Sequence, residues 1–131
     1  MNSGETNLNA LLKTLKPVLN TGEFVFCFVR ELTEAQTAAC IMSFQEEEGT
    51  TLIIPRWQAD RLKLPYTFVG AWITLTVHSS LHAVGLTAAF SHALAKQGIS
   101  CNVVAAFHHD HIFVDYPNAE AAMEILKELS R

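Results

Sequence analysis

Two apolar stretches, GEFVFCFV from residue 22 and GAWITLTV from residue 70, restrict this chain more than any other feature. Each begins with glycine, carries an aromatic residue two positions later, ends on valine, and precedes a hairpin pattern and a proline-initiated helix. With 131 residues, half of them hydrophobic, the chain can bury one ordinary core or two very small ones. Two copies of one strand-led unit is the economical reading, with an N-terminal unit over 1–68 and a C-terminal unit over 69–131.

The second copy is the more legible. Ile73, Leu75 and Val77 alternate with Trp72, Thr74, Thr76 and His78, which predicts a strand with one apolar and one mixed face. A helix is predicted over 81–97, capped by Ser79 or Ser80, burying Leu86, Ala89, Phe90, Ala93 and Leu94, and stopped by Gly98. Strands SCNVVAAF and IFVDY flank His108-His109-Asp110-His111, and a closing helix from Asn118 turns Ala122, Ile125, Leu126 and Leu129 inward. The order β-α-β-β-α gives an α+β, ferredoxin-like split βαβ, with the third strand between the first and second.

The first copy departs from this pattern. Leu8, Leu11, Leu12, Leu15 and Leu19 predict a helix that Pro17 limits to its last turn at most. FVFCFV lacks alternation and reads as a strand buried on both faces. AACIMSF and TTLIIP form a hairpin with Gly49 available for a positive φ, and RWQADRLKL a short helix between Pro55 and Pro65. RELTEAQT leaves room for about two helical turns where the second copy has its long helix. The leucine-rich helix is therefore expected to cover the first sheet instead.

A net charge of −4 with scattered lysines and arginines gives no footprint for a phosphate backbone, so nucleic acid is not an expected partner. The polar, acidic start MNSGETN is unlike a signal peptide, and no uncharged apolar run approaches the ~20 residues that span a bilayer. A cytoplasmic protein that does not engage membranes is expected. Cys27, Cys40 and Cys101, odd in number and without a CxxC pair, suit reduced thiols.

The right-handed crossover brings the end of the first strand of the second copy to the HHDH turn. With His109-Asp110 as the turn, Cys101, Val103, Ala105 and Phe107 share the helix-covered face with Ile112, Val114 and Tyr116, while His78, His108 and His111 share the other. Three converging imidazoles could hold zinc or another divalent metal, with His109 and Asp110 as ligand or orienter, although HxxH across a tight turn resembles no standard zinc motif. The alternative is a polar turn at the rim of an interface. The same end of the sheet holds the start of the 81–97 helix, whose amides and dipole, with Ser79 and Ser80, suit a carboxylate or phosphate as well as ordinary capping. Gly85 in its first turns weakens helix propensity by about 1 kcal/mol relative to Ala, which close packing or ligand approach would explain. No nucleophile with a defined partner stands out, so the chain reads as a binding module rather than an enzyme, with a metal-binding protein or small metal-dependent enzyme using the HHDH cluster as the alternative.

SSLHAVGLTAAFSHALAKQGISCN resembles the ACT-domain signature, carried by Gly85, Gly98, Ile99 and Asn102. ITLTVHSSLHAVGLTAAFSHAL, CNVVAAFHHDHIFV and GEFVFCFV are similar to a prokaryotic family of short tandem ACT-like proteins, some labelled aspartate-kinase-like. The resemblance implies two tandem ACT-like βαββαβ units forming a regulatory protein. It further implies a small effector, an amino acid or similar anionic or zwitterionic metabolite, bound at the strand-helix turn near a domain or subunit interface. The residues so implicated are His78, Ser79, Ser80, Leu81, Gly85, Asn102, His108 and His111. The usual Pro-Gly or Asp-x-Pro-Gly turn is replaced here by Ser-Ser-Leu-His-Ala-Val-Gly. On the mixed face, Trp72, Val104, Ala106 and Phe113 would leave an apolar patch, so a homodimer or higher homo-oligomer is expected. No cofactor is expected on this reading; a divalent metal is the alternative.

Overall fold

The computed structural model describes residues 7–77 and 84–131. In chain order the elements are α1 (Leu8–Thr14), β1 (Lys16–Leu19), β2 (Phe24–Val29), α2 (Glu34–Ala39), β3 (Met42–Gln45), β4 (Thr50–Pro55) and α3 (Arg56–Arg61), followed by β5 (Val69–Thr76), α4 (Leu86–Ala95), β6 (Asn102–Ala105), β7 (Asp110–Asp115), a 3₁₀ turn (Tyr116–Asn118) and α5 (Ala119–Glu128). Contacts gather the chain into two compact units, one over Thr21–Gly70 and one joining the segment up to Asn20 with Ala71–Arg131.

The first unit is an antiparallel sheet in which β4 lies between β3 and β2, and Val69 and Gly70 at the start of β5 pair with Val25 and Phe24. Val25 and Cys27 of β2 point into a core with Leu52, Ile54 and Ala59. FVFCFV is buried on both faces only at its start, where its lack of alternation suggested this throughout: Phe24 is 7% exposed, but Phe28 on the same face is 46% exposed. Phe26 packs edge-on against Phe68, ring centroids 5.8 Å apart. Thr33 opens α2 with a capping box, its hydroxyl accepting from Gln36 N–H and its own N–H donating to the Gln36 side chain. At the β3–β4 turn room decides for glycine, since a Cβ on Gly49 would lie 2.5 Å from the Val29 carbonyl oxygen. α3 ends before Pro65, in a left-handed turn at Lys63 with Leu64 N–H donating to the Ala59 carbonyl.

The second unit is a four-stranded sheet in the order β1-β5-β7-β6, so the third strand of the β-α-β-β-α run lies between the other two, as expected. Its core gathers Ile73, Leu75 and Val77 of β5, Leu86, Phe90 and Leu94 of α4, Ile112 and Val114 of β7, and Ala122 and Leu126 of α5. The alternation in GAWITLTV therefore reports the burial correctly. α4 ends at Ala95 and the chain turns away at Gly98, the predicted stop, with φ +74° and Ile99 N–H reaching back to the Leu94 carbonyl.

Three expectations are corrected. The helix over 8–19 stops at Thr14, and Lys16–Leu19 is strand β1, antiparallel to β5 with Pro17 opposite Leu75. Pro17 lacks an N–H and biases Lys16 toward extended backbone, which suits an edge strand. The helix does not cover the first sheet: Leu11 and Leu15 are buried in the second unit's core. Finally, α4 begins at Leu86 rather than at 81, with Gly85 as its N-cap; the expected caps Ser79 and Ser80 lie outside the described residues.

Candidate functional site

β6 and β7 pair as Asn102↔Phe113, Val103↔Ile112, Val104↔His111 and Ala105↔Asp110. Ala106 N–H donates to the His109 carbonyl, so the turn is Phe107-His108 and not His109-Asp110. The faces nevertheless come out as predicted, because the turn moved by two residues and side chains alternate with period two. Ile112 and Val114 are buried on the helix side, and His111 lies on the outer side.

The shifted turn changes which histidines meet. His108, expected beside His111, sits in the exposed turn, edge-on to the 79%-exposed Phe107 at 5.0 Å. His109 takes its place on the outer face, its ring 6.2 Å from that of His111, with a buried Nδ1 that has no hydrogen-bond partner among the described residues. Asp110, opposite Ala105, belongs by parity to the helix side. Asn102 stands at the far end of β6, where its side-chain amide donates to the Phe113 carbonyl at 3.3 Å. His78, Ser79, Ser80 and Leu81 lie outside the described residues.

Sequence reasoning missed the partners of His111. The Trp72 indole N–H donates to His111 Nδ1 at 3.0 Å, and Thr74 Oγ1 lies 3.2 Å from the same nitrogen. Asn20, just past β1, donates through its side-chain amide to Thr74 Oγ1 at 2.9 Å and to the Trp72 carbonyl at 3.2 Å. Trp72 also stacks on Phe113, centroids 6.2 Å apart, and Phe113 is only 3% exposed, whereas Trp72, Val104 and Ala106 of the predicted apolar patch are part-exposed. Outward alternation of Trp72 and Thr74 was the available signal; Asn20 had none.

Burial lowers the His111 pKa, His109 lowers it further, and Asp110 opposes them. Burial raises the Asp110 carboxyl, partly offset by His111. An imidazole nitrogen that accepts from an indole N–H carries no proton there, so neutral His111 holds its proton on Nε2. Binding a metal through Nε2 would require the proton to move to Nδ1, against Trp72. Among the described residues no group of three or more His, Cys, Asp or Glu is placed to hold a metal ion.

Gly85 bears on the strand-helix turn directly. Its φ of +94° is left-handed, and a Cβ would come 3.3 Å from Leu8 Cδ2. As the N-cap, glycine offers no side chain of its own to the first N–H groups of α4. A groove of about 430 Å³ elsewhere in this unit is lined by Ala88, Ser91, His92, Ala95, Ile99 and Cys101. Burial pushes the Cys101 thiol up to about 11, so it is not a thiolate nucleophile at neutral pH.

One sequence model of the ACT domain matches residues 3–71 and a second matches 68–128. The chain belongs to the ACT-domain family. The ACT fold is the ferredoxin-like arrangement seen in both units. A Vibrio cholerae protein of unknown function, described as a possible transport protein, is 42% identical over 95% of this chain and 96% of its own, with a TM-score of 0.87. The regulatory subunit of aspartate kinase from Thermus flavus shares the ACT architecture at 10% identity, covering 88% of this chain and 97% of its own, with a TM-score of 0.65. An Agrobacterium tumefaciens protein is similar in fold at 13% identity over 88% and 89% of the two chains, TM-score 0.69. No curated protein matches the sequence. Among the described residues no helix is long and apolar enough to cross a membrane.

Proposed function

We propose that this chain is a stand-alone regulatory or sensory ACT protein, rather than an enzyme, that binds a small anionic or zwitterionic metabolite, an amino acid above all. The effector sits at the turn from β5 into α4, with its carboxylate on the first amides of α4. The observation that carries this reading is Gly85 at the N-cap of α4, left-handed and without a capping side chain. A ten-residue helix presents its positive end there, and its first-turn amides, which have no partner within the helix itself, favour a carboxylate. The ACT-domain matches over both halves support a regulatory binding role. We also place the protein in the cytoplasm as a homodimer.

Thermal unfolding of the purified chain against single amino acids and nucleotides tests the proposal. A ligand present at about a hundred times its Kd stabilises the folded state by about 2.7 kcal/mol, which is several degrees in Tm for a chain of this size. Stabilisation by one amino acid, diminished in G85A, is the expected outcome. No stabilisation by any of them at millimolar concentration would defeat the proposal.

A further inference from the structure

The outer face of the second unit's sheet holds an arrangement that binding at the strand-helix turn does not use. His111 Nδ1 has two polar neighbours of different kinds: the Trp72 indole, which only donates, and the Thr74 hydroxyl, which donates or accepts. With neutral imidazole, the nitrogen lone pair takes the Trp72 N–H. With imidazolium that lone pair is gone, Nδ1 itself bears a proton, and the Trp72 N–H faces another donor. The Thr74 oxygen can then accept from Nδ1, because it has two lone pairs and Asn20 Nδ2 occupies only one.

We propose that Trp72, Thr74 and His111 form a proton-operated latch, in which one proton transfers His111 from the Trp72 indole to the Thr74 hydroxyl. In the latched state the indole N–H joins β5 to β7 across the face where Trp72 also stacks on Phe113. In the protonated state that side-chain link is lost and the indole must turn or find another acceptor. Asn20 serves as a positioning residue, since its amide holds the Thr74 hydroxyl beside Nδ1 in both states.

Among the described residues, the groups facing His111 set where the latch operates. On β7, His109 lies on the same face at 6.2 Å and Asp110 is the sequence neighbour. On β6 the cross-strand partner is uncharged Val104, and on β5 the neighbours Trp72 and Thr74 do not titrate. On β1 the residues sharing this face are Val18, opposite Thr74, and Lys16, opposite Thr76. Burial and His109 act against the imidazolium while Asp110 favours it. The switch therefore falls below the ordinary histidine range near 6.5.

Nuclear magnetic resonance of the full chain from pH 8 to 4.5 tests the latch. The ring nitrogens of His111 are expected to report the Nε2–H tautomer at pH 8. The Trp72 indole N–H resonance is expected to move with the same midpoint as His111, below 6.5. Replacing the acceptor, Thr74→Val, should lower that midpoint by about half a unit or more, and Trp72→Phe should raise it, because each deletes the partner of one protonation state. The wild-type titration needs no variant to fold. An Nδ1–H tautomer at pH 8, a Trp72 resonance that does not follow His111, or an unchanged midpoint in folded T74V and W72F would each overturn the proposal.

Discussion

At the scale of single residues, Gly85 and His111 show how differently a sequence signal can resolve. Gly85 reads as a flaw inside a helix, yet it stands at the N-cap with φ +94°, where any other residue would be strained. Gly85→Ala is expected to destabilise the chain by about 1–2 kcal/mol through the left-handed backbone alone, with more from a Cβ only 3.3 Å from Leu8. Urea unfolding measures it; an unchanged midpoint would show that Gly85 is not conformationally required. His111 was legible as a polar residue on the outer face, but its Trp72 and Thr74 partners come from 39 and 37 residues away in sequence. Folding lowers its pKa, so the unfolded chain binds the proton more tightly, and its contribution is complete above the unfolded value near 6.5. That contribution is lost as the pH falls toward the lower folded value. Between pH 7.5 and 5.5 the wild type should lose more stability in urea than H111Q; parallel losses would contradict the assignment.

At the scale of elements, what could be read was what local pattern determines. The β5-α4-β6-β7-α5 order followed from alternation, a helical stripe and Gly98, and the outer and inner faces of the hairpin survived a misplaced turn because the error was even. What could not be read depends on distant partners. Leu8, Leu11, Leu12, Leu15 and Leu19 fit one helical stripe, but the last four-residue stretch gains more from pairing Lys16–Leu19 with Thr76–Ile73 than from another helical turn interrupted by Pro17. This strand also completes the second unit, whose own run supplies only β5, β6 and β7. Leu11, fully buried among residues of that unit, provides the test. Leu11→Ala should cost about 2–5 kcal/mol. Its chemical-shift and hydrogen-exchange changes should concentrate in residues 71–131; changes concentrated in 21–70 would contradict the placement of α1.

At the scale of the molecule, apolar exposure bears on assembly. On the expected dimer face Phe113 is 3% exposed and stacked on Trp72, while Trp72, Val104 and Ala106 stay part-exposed. The first unit carries more open apolar surface. Phe28 and Phe44 lie on either side of Thr51 in one cross-strand row, 46% and 61% exposed. Aromatic residues on the open face of a sheet, with its other face already packed, are the kind of surface that subunit association covers. The proposed homodimer is therefore expected to use this row rather than the Trp72 face. Light scattering at tens of micromolar should give twice the 14.5 kDa chain mass. Phe44→Glu should bring the mass down to one chain while leaving the urea midpoint of the monomer within about 0.5 kcal/mol of its original stability, as for other exposed positions. A wild-type chain that scatters as a monomer removes the dimer altogether, whereas a dimer that survives F44E, but not a charge placed at Val104, would return the interface to the second unit's outer face.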